Sequence, residues 1–369
     1  MRALAAALAA TLALGVSRPG LAEPMDPALE RLVLDPACRD ELGRFVDSDP
    51  AGLEAGPGKR AWCAEDNAAF KKLVSQLGFA LAPTAMHSAR TTGFGGIDVT
   101  LEAAYTKISN DERYWKLGTQ GERDPSTDRP ASSNDNPSGI LSLYSVRLRK
   151  GFGFGFEIAG SVGFLTKTSI LSGGADVRLS VLEGFRTGLP GYVPDLAAGG
   201  GVRTITGTPE LQLTVASFDI QISKPIPIQG FSVLTPWIGL QQLWIFGNSG
   251  NIDLTPATDA QAYCGYAGPN VPGNPDPNKN YFDGQPVCTN PSPGAARDFN
   301  NTVVFDDVTL ERKRLLLGVS YRWEMIKAGV ELITDLSSPA SAQSDSQDEQ
   351  DLEGEARQWA LVLELGAAF

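Results

Sequence analysis

His87 is the only histidine in the sequence, and Ser88 follows it directly, so this pair is the one place where a histidine could activate a hydroxyl nucleophile. The pair lies in a linker, residues 81–92, ahead of the first predicted strand. A catalytic base must lie within hydrogen-bond reach of the reacting proton. The linker position favours a solvated histidine instead, and we predict no catalytic residue.

Sequence motifs for nucleotides, cofactors and metals are absent: there is no P-loop, no GxSxG elbow and no zinc-ligand spacing. One acidic run lacks the spacing of an EF-hand and is interpreted as a solvated, mobile segment. Its members are Asp345, Asp348, Glu349, Asp351, Glu353 and Glu355. We therefore predict no cofactor and no bound metal. The net charge of −12 argues against a nucleic-acid partner, because phosphate binding needs a basic face.

Residues 1–22 have the pattern of a secretory signal peptide, with Arg2, an apolar run over residues 3–16 and small residues before a cleavage site at Ala22. The apolar run is too short to span a bilayer, which takes about 20 helical residues. No later run reaches that length. A membrane protein of this sequence would therefore have to be a barrel, because only helices and closed barrels satisfy their backbone groups in lipid.

Four cysteines fit an exported protein with two disulfides. Proximity along the chain pairs Cys38 with Cys63 and Cys264 with Cys288. The other two connectivities stay open.

Residues 23–93 are predicted to form a small periplasmic helical segment and a linker. Two Asp-Pro pairs indicate helix starts, at Asp26-Pro27 and Asp35-Pro36. A later apolar face has helical spacing, formed by Phe70, Leu73, Val74 and Leu77. Gly78 is a plausible stop for that helix. We expect the segment to pack on the periplasmic mouth of something larger.

Residues 94–369 change to a period of two, which is typical of strands. The clearest case sets Phe156, Ile158 and Phe164 against Glu157 and Gly163. The sixth strand changes phase near Ala216, which predicts a bulge. The pattern gives about ten strands, with a range of about 8–12. The predicted fold is all-β: an antiparallel up-and-down transmembrane β-barrel with a small N-terminal α-helical segment.

The predicted connections alternate strictly between short and long. The long ones are residues 109–139, 247–301 and 337–354. Short periplasmic turns that alternate with longer external loops are typical of outer-membrane barrels. Seven aromatic residues on these strands are predicted to form interfacial girdles: Tyr105, Tyr144, Trp237, Trp244, Tyr321, Trp323 and Trp359.

The stretch from Trp359 to Phe369 alternates apolar with small or charged residues and stops on an aromatic. It resembles the closing strand of Gram-negative outer-membrane β-barrels. The stretch 92–99, and the stretch 222–224 followed by 234–239, likewise resemble exported barrel proteins of uncharacterised function. The resemblance implies an outer-membrane location, contact with membrane lipid and lipopolysaccharide, and Phe369 as the signal read by the barrel-assembly machinery. It leaves the oligomeric state open.

Charged residues of both signs lie opposite the apolar strand faces and would face a barrel lumen. The predicted lumen residues are Glu102, Arg147, Arg149, Glu157, Lys167, Arg178, Arg314, Arg322, Glu331 and Glu364. They could plug and brace the interior, or they could line a narrow polar pore. A barrel of about ten strands is only slightly wider than one that side chains fill, which favours the brace.

The predicted function is that of a structural or surface-exposed membrane protein with a largely plugged, charged lumen. A narrow channel for small polar solutes is the first alternative. An omptin-like protease or a lipid-modifying enzyme is the second, because omptins are ten-stranded barrels. Such enzymes hold their histidine elsewhere, near the external rim in omptins and on barrel strands in the lipid enzymes, whereas the predicted topology puts His87 on the periplasmic side.

Overall fold

The computed structural model describes residues 23–34, 65–84, 87–123, 131, 133–183, 193–228, 230–253, 265–266, 286–287 and 302–369. The predicted signal peptide and the predicted disulfide cysteines, Cys38, Cys63, Cys264 and Cys288, lie outside the described residues.

Ten antiparallel strands form the wall of a closed barrel, as predicted. Each strand pairs with the next along the chain, and the last pairs with the first, so the sheet has no free edge. The strands are β1 (Ile97–Lys107), β2 (Ile140–Gly151), β3 (Phe156–Leu165), β4 (Leu171–Leu182), β5 (Asp195–Thr206), β6 (Leu211–Ser223), β7 (Ser232–Ser249), β8 (Val308–Trp323), β9 (Ile326–Asp335) and β10 (Trp359–Ala368).

The closing seam joins β10 to β1, in agreement with the sequence prediction. Beside it, the backbones of Ile97 and Phe369 exchange two hydrogen bonds, of 2.7 and 3.0 Å. Further along the seam, Glu102 lies directly opposite Glu364. Two carboxylates at this spacing repel each other, so the seam needs positive charge nearby.

The two ends of the barrel differ in their connections. At the turn end, where β1 begins and β10 ends, the connections are residues 152–155, 183–194, 224–231 and 324–325. At the loop end they are residues 108–139, 166–170, 207–210, 250–307 and 336–358.

The predicted strict alternation of connection lengths is wrong, because two of the loop-end connections are tight. Lys167 and Gly207 have positive φ angles of 61° and 102°, which let the chain reverse within a few residues. Three long connections still lie at the loop end and none at the turn end is as long.

The outer face of the wall is apolar. On β3, Phe156, Ile158, Val162 and Phe164 all point outward and are exposed. A soluble protein rarely exposes so large an apolar band, whereas lipid contact requires it.

The inner face changes character along the barrel, and β6 shows the change. Towards the loop end, Leu213 and Val215 point inward, whereas towards the turn end Phe218 and Ile220 point outward. The register of β6 with both neighbours is continuous, so the predicted bulge is wrong. The apolar residues change face because the loop-end half of the lumen is itself apolar. A register shift occurs instead between β4 and β5, near Ser180.

In the residues that the structure describes, three helices accompany the wall. Helix α1 (Asn67–Leu81) precedes β1, α2 (Arg113–Leu117) follows β1, and α3 (Ser346–Asp351) follows β9. Single turns of 3-10 helix occur at Leu29–Arg31, Gly153–Gly155 and Ala340–Ala342. Short strand pieces pair Ile252–Asp253 with Thr302–Val303, Gly265–Tyr266 with Pro286–Val287, and Ile226–Ile228 with the start of β7. Among the described residues, no helix is both long and apolar enough to cross a membrane.

Candidate functional site: the filled lumen

Helix α1 lies inside the loop-end half of the barrel, whereas the sequence predicted that it would pack on the mouth of a larger unit. The Asp66 side chain caps its start by accepting a hydrogen bond from the amide of Ala69 at 2.9 Å. Its apolar residues Phe70, Leu73 and Val74 are fully buried. Burial of each such side chain contributes about 1.5–3 kcal/mol. The inward apolar residues of the wall and the helix therefore form one core.

Gly78 does not stop the helix, which continues to Leu81. A Cβ at Gly78 would lie 2.5 Å from Cγ2 of Ile245 on β7. The glycine therefore allows helix and wall to pack closely, and Pro83 follows soon after the helix ends.

Two arginines of β8 donate to carbonyl groups of α1 and of the linker that follows it, and the Phe79 carbonyl is one of the last four that helical hydrogen bonding leaves unsatisfied. Arg314 donates to the carbonyl oxygens of Phe79, at 3.1 Å, and Pro83, at 2.8 Å. Arg312 donates to the carbonyl oxygen of Ser75 at 3.1 Å. Both guanidinium groups also lie over the Phe79 ring, 4.7 and 5.0 Å from its centroid. These contacts hold the helix to the wall at a fixed depth.

The linker after α1 continues through the charged half of the lumen towards the turn end. Arg147 of β2 donates to the carbonyl oxygen of Thr84 at 2.9 Å. Arg90 forms an ion pair with Asp195 of β5 at 2.7 Å. The amide of Thr92 donates to Glu157 of β3 at 2.7 Å. The linker thus contacts the wall at intervals all the way to the start of β1.

A network of ion pairs surrounds this linker. Arg147 bridges Glu102 at 2.9 Å and Asp176 at 3.0 Å, and Lys327 pairs with Glu364 at 2.7 Å. These cations flank the facing carboxylates of the closing seam and offset their repulsion. Other pairs among the described lumen residues are Arg149 with Asp98 and Glu157, Arg178 with Asp219, Arg203 with Asp176, and Lys327 with Asp98.

Most of the predicted lumen residues are buried inside the barrel: Glu102, Arg147, Arg149, Glu157, Arg178, Arg314, Glu331 and Glu364. Lys167 is an exception, because it lies in the tight connection between β3 and β4 and is exposed at the loop end. Arg322 is the second exception. It lies near the turn end of β8, where its Nε donates to the carbonyl oxygen of Glu324 at 2.9 Å.

Part of this network differs from what the sequence predicted. Trp237 was expected in an interfacial girdle, but it is buried, and its indole N–H donates to Glu331 at 3.0 Å. The signal was its parity, since it lies an even number of residues before the inward-facing Gln241 on β7. Asp219 on β6, which pairs with Arg178, likewise alternates in step with the inward-facing residues of its strand.

His87 is buried in the lumen, so the prediction of a solvated linker histidine is wrong. Together with Arg147, Glu157 and Arg178, it lines a cavity of about 10 Å³. That volume is roughly the space of one water molecule. The linker carries His87 into the barrel because residues on both sides of it are bound to the wall.

The loop-end connections cover one side of α1. Gln76 on the helix donates to Glu355, as does the hydroxyl of Tyr114 at 2.9 Å, and Trp115 donates to Gln76 at 2.8 Å. Burial raises the pKa of the Glu355 carboxyl, although the bond from Gln76 opposes the shift. Burial also raises the pKa of the Tyr114 hydroxyl. The second oxygen of Glu355, Oε2, is buried without a hydrogen-bond partner, which fits a neutral carboxyl.

The acidic run at the loop end is tied to the helix it covers. The ammonium of Lys71 lies 2.6 Å from both Asp348 and Asp351. Burial lowers the pKa of Lys71, but the bonds to these two carboxylates outweigh it and raise the pKa above its ordinary value. Within the described part of the chain, no group of three or more His, Cys, Asp or Glu side chains is arranged to hold a metal ion.

No protein-family model matches this chain, and neither does any curated protein. Solved structures give a weak similarity. The attachment invasion locus protein Ail of Yersinia pestis is 8% identical, with 75% of this chain and 99% of Ail covered and a TM-score of 0.23. The KdgM porin is 10% identical, with 74% and 99% covered and a TM-score of 0.24.

Similarities with TM-scores this low carry no information about function. The class of the protein follows instead from the features of its own barrel. The wall is closed, its outward side chains are apolar, and its interior is polar in one half and filled by a helix in the other. These are the features of an outer-membrane β-barrel, which is therefore the class and location of this protein.

Proposed function

We propose that this protein is a closed outer-membrane barrel that presents structured segments at the cell surface and does not conduct solutes. The observation that carries the proposal is the binding of Arg312 and Arg314 to carbonyl groups of α1 and of the linker that follows it. Removing the helix would break these bonds, while Arg312 would keep its ion pair with Asp335 and Arg314 its bond to Gln241. The cost is that of the buried helix carbonyl groups left unsatisfied, about 1–3 kcal/mol each. The helix is thus supported as a fixed plug.

The charged half of the lumen supports the same conclusion. Its arginines and lysine are engaged by carboxylates of the wall or by the linker, and the cavity beside His87 has a volume of only about 10 Å³. A solute path would need water along the whole lumen. The narrow channel for small polar solutes remains the alternative and predicts steady conductance.

Planar-bilayer recording of the purified full-length protein separates these functions. We expect no stepwise conductance at moderate voltage. Reproducible steps in every insertion, with ion selectivity altered by Arg147→Gln, would overturn the closed barrel and establish the channel. Heat-modifiable mobility on detergent gels checks that the inserted protein is folded.

An enzymatic role is not supported by the position of His87. The ring is buried beside arginine side chains and does not lie at the loop-end rim, where an external substrate would bind. Replacing His87 by Ala is expected to leave any hydrolysis of peptides or lipids by the purified protein unchanged. A hydrolase activity that His87→Ala abolishes would instead favour the enzyme.

The partners of the proposed function are membrane components. The outward apolar face supports contact with lipid, and the loop-end connections would meet lipopolysaccharide. The pairing of Phe369 with Ile97 supports a role for the last strand in barrel closure by the assembly machinery.

A further inference from the structure

The N-terminal residues and the start of the barrel wall lie at opposite ends of the molecule. Residues 23–34 are at the loop end, where the amide of Met25 donates to the carbonyl oxygen of Lys167 at 2.9 Å and Ala28 donates to Gly118 at 2.9 Å. At the turn end, Lys150 donates to the carbonyl oxygen of Gly95 at 2.8 Å, just before β1 begins. The chain between these points must therefore cross the length of the barrel.

The crossing is inside the wall. In chain order, the segment contacts β8 through Ser75 and Phe79, β2 through Thr84, and β6 through Ala89, whose amide lies 3.1 Å from Ser223 Oγ. Arg90 then contacts β5. Contacts to strands on different sides of the barrel place the segment within the lumen.

Residues 23–34 are bound to the loop-end connections by specific hydrogen bonds. Arg31 is buried and donates to the carbonyl oxygens of Thr119 and Gln120 at 3.1 and 3.0 Å. Asp26 accepts hydrogen bonds from the amide of Ser169, at 2.6 Å, and from its hydroxyl, at 2.9 Å. These contacts join residues 23–34 to two separate loop-end connections.

The orientation of the barrel in the membrane determines on which side residues 23–34 lie. Outer-membrane barrels keep short turns in the periplasm and long loops outside, so the loop end faces the exterior. A chain made in the cell arrives from the periplasmic side. Residues 23–34 must therefore pass to the exterior, and residues 67–93 occupy the path.

We propose that the barrel carries its own N-terminal segment through the lumen and displays residues 23–34 on the cell surface, with α1 and the linker left behind as the plug. This inference deepens the proposed display function and rests on it for the fixed position of α1. It also replaces the periplasmic placement expected for residues 23–93. Conductance tests closure and surface labelling tests the route, so the two can fail separately.

Cysteine labelling on intact cells tests the display. In a background with the four native cysteines replaced by serine, Leu34→Cys places a thiol at a residue that is 54% exposed. Ser346→Cys is the control for the loop end and Met325→Cys for the turn end, both at exposed positions. A membrane-impermeant maleimide should label Leu34→Cys and Ser346→Cys in intact cells, but Met325→Cys only after the outer membrane is permeabilised.

Labelling of Leu34→Cys only after permeabilisation, together with Met325→Cys, would overturn the proposal. Heat-modifiable mobility shows which variants have folded. If the cysteine-free background does not assemble, an epitope can be inserted after Leu34 in the native chain. Antibody binding to this epitope on intact cells then distinguishes display of residues 23–34 from their absence at the surface.

The route through the lumen has its own test, because the passage that α1 fills is too narrow for a folded domain. A stably folded domain inserted ahead of Glu23 is expected to abolish the surface signal of the epitope. An unstructured peptide of equal length inserted there should leave the signal unchanged. Equal display of both would show that the segment does not travel through the barrel.

Discussion

Val74 on α1 packs against Gly247 on β7, and a Cβ added at Gly247 would lie 3.4 Å from the Cβ of Val74. This separation is close to the Cβ spacing of about 3.5–4.5 Å found in disulfides. The contact joins the plug directly to the wall.

The double variant Val74→Cys with Gly247→Cys is expected to form a disulfide in the folded barrel. In a background lacking the native cysteines, it should change mobility on non-reducing gels and lose reactivity towards maleimide. Val74→Cys with Gly239→Cys is the control, because a Cβ at Gly239 contacts Gln221 and Leu316 instead. Free thiols in the first pair, in protein that is otherwise folded, would show that α1 does not occupy the lumen.

Gly318→Ala is expected to destabilise the charged half of the barrel. The added Cβ would lie 2.1 Å from Cζ2 of Trp237, so the indole must move and its bond to Glu331 is lost. Overpacking of this kind costs about 1–3 kcal/mol. The temperature at which the barrel loses its heat-modifiable mobility measures the effect. Gly173→Ala, where nothing lies within 4 Å of the new Cβ, should leave that temperature unchanged.

Lys71→Met should release the acidic loop from α1. The change keeps the apolar stem but leaves Asp348 and Asp351 facing each other without a cation, at a cost of about 1.5–3 kcal/mol. Protease cleavage within residues 336–358 of the folded protein should become faster. Lys72→Met removes only an exposed bond to the Glu353 carbonyl oxygen and should have an effect within about 0.5 kcal/mol. Equal cleavage of the two variants would contradict the role of Lys71.

The same ion pairs should persist into alkaline solution. The pKa of Lys71 in the folded protein lies above its ordinary value of 10.5. Its contribution to the free energy of unfolding is therefore complete below pH 10.5 and is lost as the pH rises through the folded pKa.

Glu355 should make the cover of α1 more stable in acid. Its pKa is raised in the folded state, so between 4.5 and the folded value the native protein binds a proton that the unfolded chain has released. The free energy of unfolding therefore falls as the pH rises through that window. Glu355→Gln should remove this slope when unfolding is measured in urea at several pH values. Glu353→Gln, at an exposed residue, should retain it.

Phe369→Ala should impair assembly without weakening the finished barrel. The side chain is 59% exposed, and the closing hydrogen bonds to Ile97 come from the backbone, which alanine keeps. We expect less protein in the outer membrane, with the unfolding of the assembled fraction changed by no more than about 0.5 kcal/mol. Phe164→Ala, at an outward aromatic of β3, is the control for a general loss of apolar surface. Equal membrane yields for the two variants would remove the role of Phe369 as a signal.

The wall could be predicted from the sequence because lipid outside and charge inside impose a period of two on most strands. Glu364 and Leu365 on β10 show this rule directly, since one is buried and the other exposed. The order of the strands followed from their spacing along the chain. Closure of the barrel then required the last strand to pair with the first.

The contents of the lumen could not be predicted in the same way. Where α1 fills the barrel, inward residues such as Leu213 and Val215 are apolar, so both faces of the wall are apolar. An alternation of apolar and polar residues then no longer shows which side chains point inward. The change of face on β6 was therefore interpreted as a bulge. The prediction for Trp237 was wrong for a related reason. An aromatic residue can lie on either face of a strand, and only the even spacing between Trp237 and the inward-facing Gln241 shows which face it takes.

The contacts of Arg312 and Arg314 with the last turns of α1 also give the lumen a direction. The aligned peptide dipoles of a helix leave its C-terminal end partly negative, and that end lies against the two guanidinium groups. A helix of the opposite polarity would present its partly positive end to the same cations and would be repelled. The two arginines therefore favour the observed polarity of α1, with its C-terminal end directed towards the charged half of the lumen.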